Sequence, residues 1–98
     1  MQPPDITRVF KGAQMEFEVE IVFANEGNQS PEEGHEYEEI IVVTEGVVDL
    51  TRGPGTGAET YGKYDCIVLP AGTVHQISVR EAPARLVIIH PRREQAGP

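Results

Sequence analysis

Between Gln14 and Phe23 apolar and polar residues take turns: Met15, Phe17, Val19, Ile21 and Phe23 alternate with Gln14, Glu16, Glu18, Glu20 and Val22. A period of two residues is that of a β-strand with one face in water and one in the core. This reading puts the three glutamates on the wet face, where they also discourage edge-to-edge aggregation. Shorter runs repeat the signal. Glu39 to Thr44 and Val47 to Arg52 flank Glu45-Gly46, which predicts a tight hairpin. Further strands are expected at 58–62, 65–69, 74–80 and 85–90. Asn25-Glu26-Gly27-Asn28, residues 53–57 and Pro70-Ala71-Gly72-Thr73 read as turns or loops. The glycines of 53–57 are not a phosphate loop, because no lysine and no helix follow them. No segment carries a helical stripe. About eight short strands separated by turns predict an all-β sandwich or barrel.

Length and charge narrow the class. The 98 residues make one domain, 1–98, with a core over about 5–91 and a tail over 92–98. The net charge is −8, from 16 acidic and 8 basic residues. Such a chain is a poor partner for phosphate backbones or anionic lipid, so neither nucleic acid nor membrane is expected. Met1 to Phe10 has no long apolar run, so no signal peptide or spanning helix is expected. A cytoplasmic location follows, and a single cysteine agrees with a reducing compartment. That cysteine, Cys66, stands in Cys66-Ile67-Val68-Leu69 and reads as a packed small hydrophobe rather than a nucleophile.

The three histidines carry most of the chemical information. His75 shares a strand face with Ile77 and Val79, so it points inward. A buried imidazole needs partners for both ring nitrogens. A backbone acceptor satisfies one; the other partner is either a metal or a second protein group. His35 lies in an acidic stretch, Glu32-Glu33-Gly34-His35-Glu36-Tyr37-Glu38-Glu39, which taken alone is a solvated loop. On a straight strand His35 and Glu39 would lie ~13 Å apart. One ion reaches both only if the chain bends between them. His90 precedes Pro91 with no carboxylate evidently placed to serve it, and reads as structural or exposed.

The spacing of these residues resembles that of the cupins. Their first motif runs Gly, five residues, His-x-His, three or four residues, Glu, six residues, Gly. Gly27, Glu33-x-His35, Glu39 and Gly46 reproduce every interval, with Glu33 in place of the first His. Their second motif runs Gly, five residues, Pro-x-Gly, two residues, His, three residues, Asn. Pro70-x-Gly72 and His75 fall in place, while Tyr64 stands at the Gly position and Val79 at the Asn position. The motifs cover Gly27 to Val79. The resemblance is to small single-domain cupins of the RmlC-like type-2 kind, and it implies a double-stranded β-helix, or jelly-roll barrel.

It also implies a metal site in the barrel mouth, with His35, Glu39 and His75 at ligand positions and the needed bend before Glu39. Glu33 occupies a ligand position with a different residue type: it is either a fourth, oxygen ligand or a solvated side chain beside Glu32 and Glu36. Two His and one carboxylate suffice for a facial set with open positions. An added oxygen favours a divalent iron, manganese or zinc over copper. Phe17, Ile21, Tyr37, Ile41, Val43, Ile77 and Ile88 are candidates for the pocket wall. Tyr37, between two ligand positions, is the candidate proton donor.

Cupins include dioxygenases, isomerases, epimerases, decarboxylases, cyclases, storage proteins and ligand-sensing domains, and the fold does not choose among them. The expectation is a metal-dependent enzyme of oxygenase, isomerase or cyclase type acting on a small molecule. The alternatives are a non-catalytic small-molecule or metal-binding module and a barrel that has lost its metal. Cupins of this size also imply a homodimer, with Met15 to Phe23 as the contact region.

Overall fold

The computed structural model describes residues 4–11, 17–30, 34, 37–53 and 57–91. Glu33 and His35 lie outside this set, as do residues 12–16 and the expected tail over 92–98. The described chain forms β1 (Asp5–Lys11), β2 (Glu18–Ala24), β3 (Glu39–Arg52), β4 (Glu59–Tyr61), β5 (Cys66–Leu69) and β6 (His75–His90). All pair antiparallel in the order β1-β2-β6-β3-β4, with β5 added to the first half of β3. The all-β class stands. No helix among the described residues is long and apolar enough to cross a membrane.

Two strands are far longer than expected. β3 continues unbroken through Glu45-Gly46, so there is no hairpin there. β6 joins what read as two strands, 74–80 and 85–90, into one of 16 residues. β3 and β6 pair along their whole length, from Ile40↔Ile89 to Arg52↔His75, with register shifts between Val43 and Val48. Bulges of this kind bend both strands. The first half of β3 and the second half of β6 therefore join β1, β2 and β5 in one wall. Their other halves form a second wall with β4. Gly46 sits at the corner with φ +78°, and a Cβ there would lie 2.3 Å from the Pro83 carbonyl oxygen. Close backbone approach and a two-residue turn demand the same residue, which is why Glu-Gly reads as a hairpin in the sequence.

Ile41, Val43, Val48, Leu50, Ile67 and Leu69 are fully buried between the walls. Asn28 to Ser30 close the open edge of the second wall by pairing with β6: Ser30 N–H donates to the Ile77 carbonyl at 2.8 Å, and Ile77 N–H donates to Ser30 Oγ at 2.9 Å. Tyr64, at the position where the cupin motif has glycine, takes a left-handed φ of +74°.

β2 carries the main correction. Glu18, Val22 and Ala24 are its buried residues, and Glu20 faces the same interior. Pairing sets this choice of face: Glu18 lies opposite inward-facing His90, whereas Val19 and Ile21 lie opposite outward-facing Ile89 and Val87. Alternation identifies a strand, but it names the wet face only when the interior is wholly apolar. Here the interior holds a polar site. Of the expected pocket wall, Tyr37, Ile77 and Ile88 line the cavity. Ile41 and Val43 are solid core, and Phe17 and Ile21 lie on neither. Cys66 is also a correction: it is exposed, because β5 turns Ile67 and Leu69 inward and Cys66 outward.

Candidate metal centre

A cavity of about 340 Å³ opens between the two walls. Its apolar lining includes Val22, Val48, Ile77, Leu86 and Ile88, and its polar end holds Glu18, Glu20, Tyr37, Glu39, His75 and His90. The polar end is built from strand termini. Glu18 is the first residue of β2, Glu39 the first of β3, and His90 the last of β6. Glu18 pairs with His90, and Ile40 beside Glu39 pairs with Ile89. One row across three strands therefore reads Glu18, His90, Glu39. His75, the first residue of β6, approaches from the other wall.

A tight turn sets His75. Thr73 N–H donates to the Pro70 carbonyl at 3.2 Å, and Gly72 at φ +85° supplies the left-handed position that a type II turn requires. The turn delivers the Thr73 carbonyl to His75 Nδ1 at 3.2 Å. A carbonyl only accepts, so Nδ1 carries the proton and Nε2 faces the site. His75 Nε2 lies 3.5 Å from Glu39 Oε1, with both side chains buried.

The other Glu39 oxygen, Oε2, lies 3.3 Å from His90 Nε2. His90 Nδ1 lies 3.1 Å from Glu18 Oε1 and 3.9 Å from Glu20 Oε1, and Glu18 Oε2 is 3.4 Å from Lys11 Nζ. The Tyr37 ring stands edge-on to His90, with centroids 4.8 Å apart. His90 is thus neither exposed nor without carboxylates. It is 3% accessible and faces three of them. The sequence signal that would have found it is parity: His90 shares a strand face with Ile88 and Leu86, as His75 does with Ile77.

Charge follows this geometry. Burial pulls the Glu39 carboxyl upward, but hydrogen bonds and charge from His75 and His90 outweigh it and hold it at about 2. Burial pulls His90 down, yet Glu39, Glu18 and Glu20 together leave it above its ordinary value. Glu20 is raised, first by burial and then by the neighbouring Glu18.

The donors fit a metal ion. Two ligands about 2.1 Å from one ion lie roughly 3–3.5 Å apart, which is the separation of His75 Nε2 and Glu39 Oε1. A nitrogen lone pair and a carboxylate oxygen at that distance suit a shared cation, a proton or a metal. The carbonyl on Nδ1 is the outer partner that metal-binding imidazoles commonly have. Of the four ligand positions that the cupin resemblance implies, the structure brings Glu39 and His75 together. Glu33 and His35 lie outside the described residues. The chain bends at Tyr37 and β3 begins only at Glu39, so the approach to the site is not a straight strand. A second group, Glu18, Glu20 and His90, also places ligand atoms within 4.8 Å of one another. There both nitrogens of His90 already face carboxylates, and Lys11 holds Glu18.

Comparisons with known proteins agree with the fold. No curated protein matches the chain. Among solved structures, an RmlC-like cupin family protein with a double-stranded β-helix fold from Methanocaldococcus jannaschii superposes with a TM-score of 0.82 at 10% identity, covering 97% of this chain and 85% of that one. A cupin-like protein from Thermotoga maritima gives 0.78 at 21% identity over 93% and 70% of the two chains. A cupin 2 domain-containing protein from Halorhodospira halophila gives 0.74 at 19% over 94% and 67%. At such identities these likenesses speak for the fold alone. The sequence itself matches the cupin domain model over residues 19–90, so the chain belongs to the cupin family, with the double-stranded β-helix as its architecture.

Proposed function

We propose that the protein is a cytoplasmic, metal-dependent cupin enzyme acting on a small organic molecule, of oxygenase, isomerase or cyclase type. Glu39 and His75 hold a divalent iron, manganese or zinc, with His35 and Glu33 as the further donors. One observation carries this reading: a buried imidazole nitrogen with its other nitrogen tied to a carbonyl faces a buried carboxylate oxygen at 3.5 Å on the wall of a cavity. A bound divalent ion polarises a substrate oxygen or activates water or dioxygen. The protein's own groups do the rest. Val22, Ile77 and Ile88 exclude water from the apolar end, and the Tyr37 hydroxyl supplies a proton.

The test is metal uptake by the purified protein and by His75→Ala. About one ion per chain is expected in the wild type, with affinity at least ~100-fold weaker in the variant. Equal, negligible metal in both after reconstitution contradicts the reading. A second reading, a non-catalytic metal or small-molecule binder, is favoured by the engagement of Glu18 and His90 with each other. That leaves few wall groups for proton transfer. Metal uptake without dioxygen consumption or turnover across a small-molecule panel selects it.

We also propose a homodimer through the outer face of the wall that contains β2. Strand register lines up Phe10, Val19, Ile89, Ile40 and Val68 in one cross-strand row, and Ile21, Val87 and Val42 in the next. These eight positions span roughly 260 Å² in projection, an apolar centre for a standard interface of ~800 Å² per partner. Light scattering should give a dimer for the wild type and a monomer for Val87→Lys. A wild-type monomer across the micromolar range contradicts it.

A further inference from the structure

His90 does not belong to the motif residues, yet it makes the most complete set of contacts in the site. Its Nε2 engages Glu39 Oε2 at 3.3 Å and its Nδ1 engages Glu18 Oε1 at 3.1 Å. Glu18 is tethered in turn to Lys11, and the Tyr37 ring packs edge-on against the imidazole. These contacts form a chain that begins at the half-exposed Lys11 and ends on one oxygen of Glu39.

We infer that His90 is a positioning residue for Glu39, and that it works through one atom, Nε2. A carboxylate at the end of a glutamate rotates about its own bonds. Fixing one oxygen fixes the direction of the other. With Oε2 held by His90, Oε1 faces His75 Nε2. His90 therefore keeps Glu39 as a one-oxygen ligand aimed at the position His75 also addresses. Glu18 acts one step further out, holding the ring so that Nε2 reaches Glu39. The inference rests on the metal reading above and assigns no contact between His90 and the ion.

A merely structural role makes a different demand. If His90 only ties β2 to β6 and balances charge, the contact to Glu18 matters as much as the contact to Glu39. Two substitutions separate the contacts. Glutamine places its amide nitrogen near the position of Nε2, so His90→Gln keeps a donor to Glu39 and gives up Glu18. Asparagine mimics Nδ1, so His90→Asn keeps Glu18 and gives up Glu39.

The experiment is a Co(II) titration of the full chain, followed by visible absorption, with thermal midpoints of the metal-free proteins measured in parallel. His90→Gln should bind Co(II) within about threefold of the wild type and with the same d–d spectrum. His90→Asn should bind about 10–100-fold more weakly, the usual effect of removing an outer partner of a ligand, with an altered spectrum. Asparagine and glutamine variants with equal affinity and equal spectra overturn the inference. A wild type that takes up no Co(II) overturns the metal reading and the inference together, so the two failures are told apart. A measurement without variants covers a failure to fold. In ¹⁵N-edited NMR of the Zn(II)-loaded wild type, His90 Nε2 should keep its proton while His75 Nε2 shows metal ligation. Metal ligation at His90 Nε2 overturns the inference.

Discussion

β6 begins with one buried histidine and ends with another, and Glu39 touches both. His75 and His90 are 2% and 3% accessible, so burial does not tell them apart. Their neighbours do. His75 has a backbone carbonyl on Nδ1, which fixes the proton there and turns Nε2 toward Glu39 and the cavity. His90 has carboxylates at both nitrogens, and each contact needs a proton on the ring. The first environment leaves Nε2 aimed at the cavity, the atom a metal would take. The second suits imidazolium, which cannot ligate. Within one strand, the identity of the outer partner separates a candidate ligand from its support.

pH acts on this difference with the largest expected effect. In metal-free protein Glu39 sits at about 2, below its ordinary 4.5, because its two histidines outweigh burial. Its contribution is complete above about 4.5 and is lost as pH falls toward 2. By linkage the loss is on the order of 3 kcal/mol. His90 is raised above 6.5, so its contribution is complete below 6.5 and is lost as pH rises through its folded value. Metal-free protein should therefore be most stable between about pH 4.5 and 6.5, read by urea melts from pH 3 to 9. Loss on the acid side alone would mean that His90 carries no charge in the fold. Metal should deepen the acid loss: uptake should weaken below about pH 6, where protons compete for imidazole. Full retention at pH 4 contradicts ligation by His75.

A smaller effect is expected outside the site. Tyr64 adopts φ +74° and is 77% exposed. Glycine takes that conformation without the steric cost that a side chain incurs. Tyr64→Gly should raise stability by about 0.5–1 kcal/mol and leave metal affinity unchanged. A fall in stability would mean that the Tyr64 ring, which lies under Lys63 Nζ at 5.0 Å, contributes more than its backbone costs.

The two histidines also mark how far the sequence could be read. β6 was legible at His75 because Ile77 and Val79 share its face and because the Pro70-x-Gly72 spacing points to it. His90 was hidden because its partners come from β2, where alternation suggested the opposite face. Glu18 and Glu20 point inward only because a polar site is there to receive them, and no local pattern states that. The outer apolar row, Val19 and Ile21 against Ile89 and Val87, disguised itself as a core face for the same reason. Gly46 misled differently. Its glycine is required because a side chain there would collide with the Pro83 carbonyl, 37 residues away in sequence. The strand content and the all-β class needed no such long-range knowledge, whereas Glu39 and His75 are grouped only by spacing that resembles the cupin motifs.

In the proposed site a metal ion lies between His75 and Glu39, with His90 behind the carboxylate. Anomalous diffraction from crystals grown with Zn(II) tests it most directly. A peak is expected about 2.0–2.2 Å from His75 Nε2 and from Glu39 Oε1, with His90 still bridging Glu39 and Glu18. A peak enclosed by Glu18, Glu20 and His90, with none at His75, would contradict it.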